Sequence, residues 1–193
     1  MAAGLAALLT LAVAAPAPAA TAAYAAPCAP RAFTTIFSAF RDTSLYTLAP
    51  DGGFEAGATG WTLAGGGFVA ADSSTIKLGP TLGARSVQLG VGASATSPAI
   101  CVERGFSSFR FVARSVGAVP GAVRVEVLHA SGRVAAGGAI KPGAAWGVTP
   151  KVNLVEGLFN IQAGASTTVR LKFTASGGPV RIDDVYVDPR YRG

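Results

Sequence analysis

The sequence predicts an all-β domain, a sandwich or a barrel of about eight to ten short antiparallel strands. In several segments apolar and polar residues alternate with a period of two, which is typical of strands with one buried face. Clusters drawn from the 25 glycines and 12 prolines separate these segments as turns do. No segment shows the periodicity of a convincing amphipathic helix.

The first element along the chain is an uncharged N-terminal segment. Residues 5–15 are apolar, small residues continue to Ala26, and no charged residue precedes Arg31. The apolar run is shorter than the roughly 20 residues that span a bilayer, and small-residue cleavage sites follow it. We therefore expect a signal peptide at 1–26 and a secreted protein, extracellular or bound to the cell wall. It would not be an integral membrane protein after cleavage; an uncleaved anchor is the alternative.

Residues 27–44 predict an N-terminal arm that precedes the domain. This arm contains Cys28, and the second of the two cysteines, Cys101, lies in an apolar strand. An even cysteine count in an exported protein favours one disulfide, which would tie the arm down. Two unpaired thiols are the alternative. Neither cysteine has a C-x-x-C partner or a nearby histidine, which argues against zinc and redox chemistry.

The strands of the domain, residues 45–193, follow in order. The strongest alternation predicts strands at 107–115, 122–128, 168–174 and 179–187, and weaker patterns predict strands at 45–49, 61–64, 67–71, 86–91, 95–102 and 147–154. The adjacent Asp183 and Asp184 shift the alternation, so we expect a β-bulge there. Ser131-Gly132 and Gly137-Gly138 have the composition of turns.

Enzyme chemistry has no recognisable site in this sequence. The single histidine, His129, stands beside a predicted turn, and no serine lies in a G-x-S-x-G context. The glycine run at 65–67 lacks the Lys-Ser/Thr of a phosphate loop. Spacing does not select any two carboxylates as an acid–base pair. We therefore expect a protein without catalytic activity.

Three sequence motifs resemble a known family. They are DGGFE at 51–55 with Gly60-Trp61, the tryptophan Trp146 before a strand, and RIDDVYVDP at 181–189. The chain is thereby similar to the galactose-binding-like jelly roll of many non-catalytic carbohydrate-binding modules. It also resembles a group of small secreted actinobacterial proteins of unknown function. The resemblance implies a jelly-roll β-sandwich that binds carbohydrate, with Trp61 and Trp146 in or near the core.

The resemblance also implies a structural calcium ion. In related modules an opening glutamate and a closing aspartate bind calcium, which corresponds here to Glu55 with Asp183 or Asp184. Calcium takes six to eight oxygen ligands, and the glycine-rich backbone around Gly53 could supply carbonyl groups. The alternative is that the two aspartates accept hydrogen bonds from backbone amides at the bulge.

Basic residues predict a possible ligand-binding face. Sixteen Lys and Arg against ten Asp and Glu give a net charge of +6. Four cations occupy the polar phase of three strongly alternating strands: Arg110, Arg124, Arg170 and Lys172. If the strands are neighbours, this stripe would attract anionic glycans or wall polymers. The alternative is ordinary solvation, and no recognition motif supports nucleic-acid binding.

The sequence thus predicts a secreted, non-catalytic binding domain for carbohydrate or a cell-envelope polymer. The alternative is a structural or protein-interaction sandwich without a glycan ligand. An exposed row of aromatic side chains on one sheet would favour the first. Tyr46, Tyr186 and Tyr191 are the expected surface aromatics.

Overall fold

The computed structural model describes residues 28–103, 108–153 and 166–188. These residues form two antiparallel sheets that pack face to face, so the predicted jelly-roll sandwich is confirmed. A single 3-10 turn, η1 (Ser38–Phe40), is the helical element among them. The predicted signal peptide lies outside the described residues. Within the described ranges, no helix is long and apolar enough to cross a membrane.

Sheet one contains seven of the strands. Its main path runs β10-β7-β13-β4-β3; β1 pairs with β13, and β11 pairs with β7. The strands are β1 (Thr47–Leu48), β3 (Phe68–Ala70), β4 (Ser86–Leu89), β7 (Ser108–Ser115), β10 (Gly147–Val148), β11 (Val152–Asn153) and β13 (Val180–Asp188). The central strand of this sheet is therefore β13.

Sheet two contains the other six. Its main path runs β2-β5-β12-β8-β9, and β6 also pairs with β12. The strands are β2 (Thr62–Ala64), β5 (Ser94–Thr96), β6 (Ile100–Glu103), β8 (Ala122–His129), β9 (Val134–Ile140) and β12 (Ser166–Ser176). The central strand is β12, which directly precedes β13 along the chain.

The core lies between the two sheets and follows from the period-two alternation. Alternate residues of β12 and β8 point inward and are buried, whereas their neighbours face solvent. Phe173 packs against the rings of Phe109, Phe111 and Trp61, at centroid distances between 5.0 and 6.2 Å. Trp61 is therefore a core residue, as the family resemblance implied. Its Nε1 donates to the Pro50 carbonyl.

The bulge predicted in β13 is confirmed. The pairing between β13 and β7 shifts register between Asp183 and Tyr186. On the other side of β13, β4 pairs before the bulge and β1 pairs after it. Gly52 occupies the gap, and a Cβ there would stand 2.6 Å from the Val185 carbonyl oxygen. The DGGFE segment thus packs directly on the bulge because residue 52 has no side chain.

The predicted disulfide is also confirmed. Cys28 and Cys101 are bonded, with their Cα atoms 5.8 Å apart. Cys101 lies on β6 of sheet two, and the arm runs from there to sheet one, where Thr34 forms a β-bridge with Tyr46. The arm therefore connects the two sheets from outside the core.

Some sequence predictions are wrong in detail. The segment predicted as one strand at 95–102 is two, β5 and β6, and that predicted at 147–154 contains β10 and β11. Gly137 and Gly138 do not form a turn, because they lie within β9. Tyr46, expected at the surface, is fully buried. Tyr191 lies outside the described residues.

Candidate functional site

Five side chains form a row across the outer face of sheet one. The cross-strand register places Arg181 of β13 opposite Arg114 of β7 on one side and Gln88 of β4 on the other. Phe68 of β3 stands opposite Gln88, and Trp146 precedes β10 beside Arg114. Residues directly opposite each other in an antiparallel sheet share a face. The row, from Trp146 to Phe68, covers four inter-strand spacings, about 19 Å.

The polar centre of the row is bound together by Asp72. This residue lies in the loop after β3, and its Oδ2 accepts hydrogen bonds from Arg114 Nη2 (2.6 Å) and from Arg181 Nη1. Arg181 Nε donates to Gln88 Oε1 at 2.9 Å. The Asp72 side chain is 43% exposed. Two guanidinium groups therefore share one oxygen of one solvent-accessible carboxylate.

Aromatic rings stand at both ends of the row. Phe68 is 50% exposed, although it lies on a strand. The Trp146 ring is half-buried, with the Arg114 guanidinium carbon 5.1 Å from its centroid. A cation over an indole face is an attractive arrangement. The resemblance implied a position in or near the core for Trp146, but its ring packs on the outer face of sheet one.

Two buried donors of the row have no hydrogen-bond partner in the part of the chain that the structure describes. They are Arg114 Nε and Trp146 Nε1. Buried donors are nearly always satisfied in native proteins, so each such group calls for an acceptor. Both belong to side chains at the same end of the row. Neither donor is exposed to solvent, so an acceptor reaches them only if the side chains at this end of the row move.

The opposite end of the same sheet face is covered by the arm. Phe37 is buried on the Tyr186 ring (5.6 Å between centroids) and on the Arg110 guanidinium carbon (4.9 Å from the ring centroid). Asp42 of the arm accepts from Arg110 and from the Tyr46 hydroxyl. The arm thus covers the Arg110 end of the face and does not extend over the Arg114–Arg181 end in the part of the chain that the structure describes.

Asp42 holds this cover in place electrostatically. Burial opposes ionisation of its carboxyl group, but hydrogen bonds from Tyr46, Lys151, the Ser44 amide and Arg110 outweigh it. The pKa of Asp42 therefore lies well below its usual range. Burial, together with the same hydrogen bond and the charge of Asp42, raises the pKa of Tyr46.

The predicted basic stripe is divided between the two sheets. Arg110 lies on sheet one, where the arm and Asp42 enclose it. The other three cations, Arg124, Arg170 and Lys172, share the outer face of sheet two. Glu126 pairs with Arg124 (2.9 Å) and lies 3.7 Å from Lys172, while Arg170 donates to the Ser97 carbonyl. The four residues therefore do not form one surface.

The acidic residues at the bulge form a second polar cluster. Asp183 is buried, and its Oδ2 accepts from the Ser73 hydroxyl (2.9 Å) and the Ser74 amide (2.8 Å). Its Oδ1 accepts from the Asp184 amide. Burial and then the Asp184 charge raise the pKa of Asp183 to about 7, against these hydrogen bonds. Asp183 therefore accepts hydrogen bonds from backbone amides and a hydroxyl group, which is the alternative to calcium binding.

Asp184 and Glu55 face each other across this cluster. Burial and the Glu55 charge raise the pKa of Asp184 to about 6. Glu55 Oε1 accepts from the Ala84 and Arg85 amides. The described residues contain no group of three or more acidic, histidine or cysteine side chains placed to share a metal ion. Calcium here would need Asp184, Glu55 and several backbone or hydroxyl oxygens, a donor set of the right chemistry for that ion.

A cavity of about 490 Å³ lies elsewhere, beside the disulfide. Its lining comes from the arm, β1 and the segment around β6, and Arg31 is the one charged residue among the lining residues. Arg31 donates to the Cys101 carbonyl at 2.8 Å. The lining contains no aromatic ring. It therefore lacks the flat apolar surface that the row across sheet one offers.

The row has no recognisable pattern in the sequence. Arg114 and Arg181 were visible on the polar phase of their strands, but the pairing of β7 with β13 was not. Gln88, Phe68 and Asp72 carried no signal, because a strand of three or four residues shows little alternation. That Phe68 and Trp146 lie at the two ends of one row can be recognised only after the strand order and register are known.

Sequence comparison finds no matching family model and no matching curated protein. Comparison with solved structures does find matches. TmCBM61, solved in complex with β-1,4-galactotriose, superposes with a TM-score of 0.50 at 13% identity, covering 72% of this chain and 96% of that chain. The CBM22-1-GH10 modules of Clostridium thermocellum xylanase 10B, complexed with xylohexaose, give a TM-score of 0.50 at 13% identity. They match over 72% of this chain and 28% of the longer chain. The chain therefore has the jelly-roll β-sandwich fold of carbohydrate-binding modules.

Proposed function

We propose that this protein is a secreted, non-catalytic module that binds carbohydrate on the outer face of sheet one. The observation that carries the proposal is the row itself. Sugar rings stack on aromatic faces, and their hydroxyl groups pair with planar polar side chains. Phe68 and Trp146 supply the rings, while Arg114, Arg181 and Gln88 supply the polar groups between them. The carbohydrate complexes of fold relatives TmCBM61 and CBM22-1 support the ligand class.

The groups in the row suit binding better than catalysis. Arginine remains protonated and glutamine does not titrate, so neither serves as a general acid or base at neutral pH. Asp72 is held between two guanidinium groups. Binding without turnover is therefore the function that these side chains support. Incubation of the protein with its ligand polymer should release no reducing sugar.

Secretion is the second element of the proposal. The Cys28–Cys101 bridge supports it, because disulfides persist in oxidising compartments. The protein should appear in the culture medium or on the wall with its N-terminus between residues 20 and 27. Mass spectrometry of the exported form measures this directly. Retention of residues 1–19 on a membrane-bound protein would contradict it.

The row can be tested with a pair of matched variants. Phe68→Ala removes the exposed ring of the row, and Phe40→Ala removes a similarly exposed ring from the arm (42% exposed). We expect Phe68→Ala to weaken glycan binding roughly three- to tenfold, because an aromatic contact contributes about 0.5–1.5 kcal/mol. Phe40→Ala should leave binding unchanged. Trp146→Ala should weaken binding at the other end of the row.

The measurement is affinity electrophoresis of the mature domain in gels that contain one polysaccharide each, after a glycan array has selected the polymers. Equal retardation of wild type, Phe68→Ala and Trp146→Ala would place binding outside the row. Retardation by no glycan at all would favour the alternative function, a structural or protein-interaction domain. Circular dichroism and melting of each variant confirm that the fold is retained.

A further inference from the structure

We infer that the row binds a sugar that carries a carboxylate, so that the ligand is a uronate-containing polymer rather than a neutral glycan. The inference rests on the proposed function and specifies its ligand class. It follows from the charge of the row, from its unpartnered donors and from the group that already stands between the two arginines.

The row carries more positive charge than its neighbours neutralise. Arg114 and Arg181 share the single carboxylate of Asp72, so these three side chains have a net charge of +1. The nearest acidic residue on the same strand, Asp183, directs its carboxylate to Ser73 and Ser74. Arg110, four residues from Arg114, is paired with Asp42. A neutral sugar would leave the excess charge of the row uncompensated.

The free hydrogen-bonding capacity of the row consists of donors. Arg114 Nε and Trp146 Nε1 are buried without a partner in the described ranges. Both are donors only, so each requires an acceptor. A sugar hydroxyl can serve, but a carboxylate offers two oxygens and forms the stronger, charge-assisted hydrogen bonds. Because neither atom is exposed to solvent, a ligand oxygen reaches these donors only after the side chains at this end of the row move. The net charge of the row and the position of Asp72 are therefore the main grounds for an anionic ligand.

Asp72 shows which anion the two guanidinium groups accommodate. Its carboxylate belongs to a loop rather than to a strand, and it is substantially exposed. Only its Oδ2 accepts from the arginines. A ligand carboxylate that approaches from solvent could use both of its oxygens on the same two groups, while Asp72 turns outward. Asp72 is therefore the competitor that a uronate would displace.

The direct test compares polymers that differ only in the carboxylate. The probes are polygalacturonate, alginate and glucuronoxylan, each beside its carboxyl-reduced counterpart, and dextran sulfate as an anion without carboxylates. Affinity electrophoresis and calorimetry measure binding at two salt concentrations. At least one uronate polymer should bind roughly tenfold tighter than its reduced form, the factor that about 1.4 kcal/mol of charge-assisted hydrogen bonding represents. The preference should shrink at high salt, because exposed charges are screened.

Substitutions of Arg181 and Asp72 should change the affinity for the uronate polymer in opposite directions. Arg181→Gln should weaken binding of the uronate polymer roughly tenfold and leave the reduced polymer nearly unchanged. Asp72→Asn removes the competitor and should strengthen uronate binding. Arg133→Gln is the charge-matched control, because Arg133 lies in the β8–β9 turn of the other sheet. It should alter neither polymer's binding. A stabilising role alone for Asp72 predicts no gain in affinity, so this variant separates the two roles.

The possible outcomes are distinct. Equal binding of uronate and reduced polymers, lost in Phe68→Ala, would overturn the uronate inference and keep the proposed function. Dextran sulfate binding as tightly as the uronates would reassign the row to anions in general and overturn the carboxylate preference. Loss of uronate binding in Arg124→Gln but not in Arg181→Gln would move the site to sheet two and overturn both. Binding of no probe would overturn the uronate inference, and the glycan array would then decide the proposed function.

Discussion

The disulfide gives the most quantitative prediction about this protein. Cys28 and Cys101 are 73 residues apart in sequence, and the loop between them contains β1 to β5 and the start of β6. In the chain-entropy description, closing a loop of this size removes about 15 cal/mol/K from the unfolded state, which is about 4 kcal/mol at 25 °C. The bridge therefore stabilises the fold chiefly by restricting the unfolded chain.

The perturbation is the double variant Cys28→Ala/Cys101→Ala. For a domain of this size each kcal/mol corresponds to roughly 2–4 °C, so the melting temperature should fall by about 8–16 °C. Differential scanning calorimetry and urea unfolding followed by tryptophan fluorescence measure the change. Reductant should lower the stability of the wild type by a similar amount and leave the double variant unaffected. A melting temperature that shifts by less than about 3 °C would show that the loop-closure reasoning does not apply here.

Three further predictions concern charge and packing. The pKa values of Asp183 and Asp184 are raised to about 7 and about 6, so the native state holds protons that the unfolded chain releases. The free energy of unfolding in EDTA should therefore fall as pH rises from about 4 to 7. Urea unfolding across that pH range measures this free energy, and an increase with pH would contradict the prediction. Calcium at a hundredfold excess over its Kd should raise the free energy of unfolding by roughly 2.7 kcal/mol, with no effect in Glu55→Gln/Asp184→Asn. A calcium titration that leaves the melting temperature unchanged would refute the calcium site. Phe173→Ala should cost roughly 3–5 kcal/mol because its ring packs on three others in the core, and a loss below about 1 kcal/mol would show that the core collapses around the gap.

The strands that could be predicted are those whose alternation is long enough to recognise. β7, β8, β12 and β13 each have eight or more residues, and all four were expected within a few residues of their observed bounds. The bulge was also foreseeable, because two adjacent aspartates interrupt a period-two pattern. β9 was missed, because its alanines and glycines carry neither alternation nor high strand propensity. Its pairing with β8 places those residues in a strand.

The candidate site could be predicted only in part. Cations on the polar phase were recognised as outward-facing, and that expectation was correct for Arg124, Arg170 and Lys172. Which arginines are neighbours depends on strand order, and strand order is set by contacts between segments that are far apart in sequence. Arg110 shows the same limitation, because nothing local indicates that Phe37 and Asp42 would cover it. A surface assembled from four strands and a loop has no local signature.

The position of β12 and β13 has a consequence for how the chain acquires its fold. They are the last described strands, yet each occupies the centre of its sheet, and β1 pairs with β13 across 140 residues (Thr47 with Val187). Neither sheet can assemble around its centre until residues 166–188 have been synthesised. Contacts of such long sequence separation also slow folding. The strands that are made first therefore lack their central partners until residues 166–188 follow, and during that interval their unpaired edges are exposed to other chains.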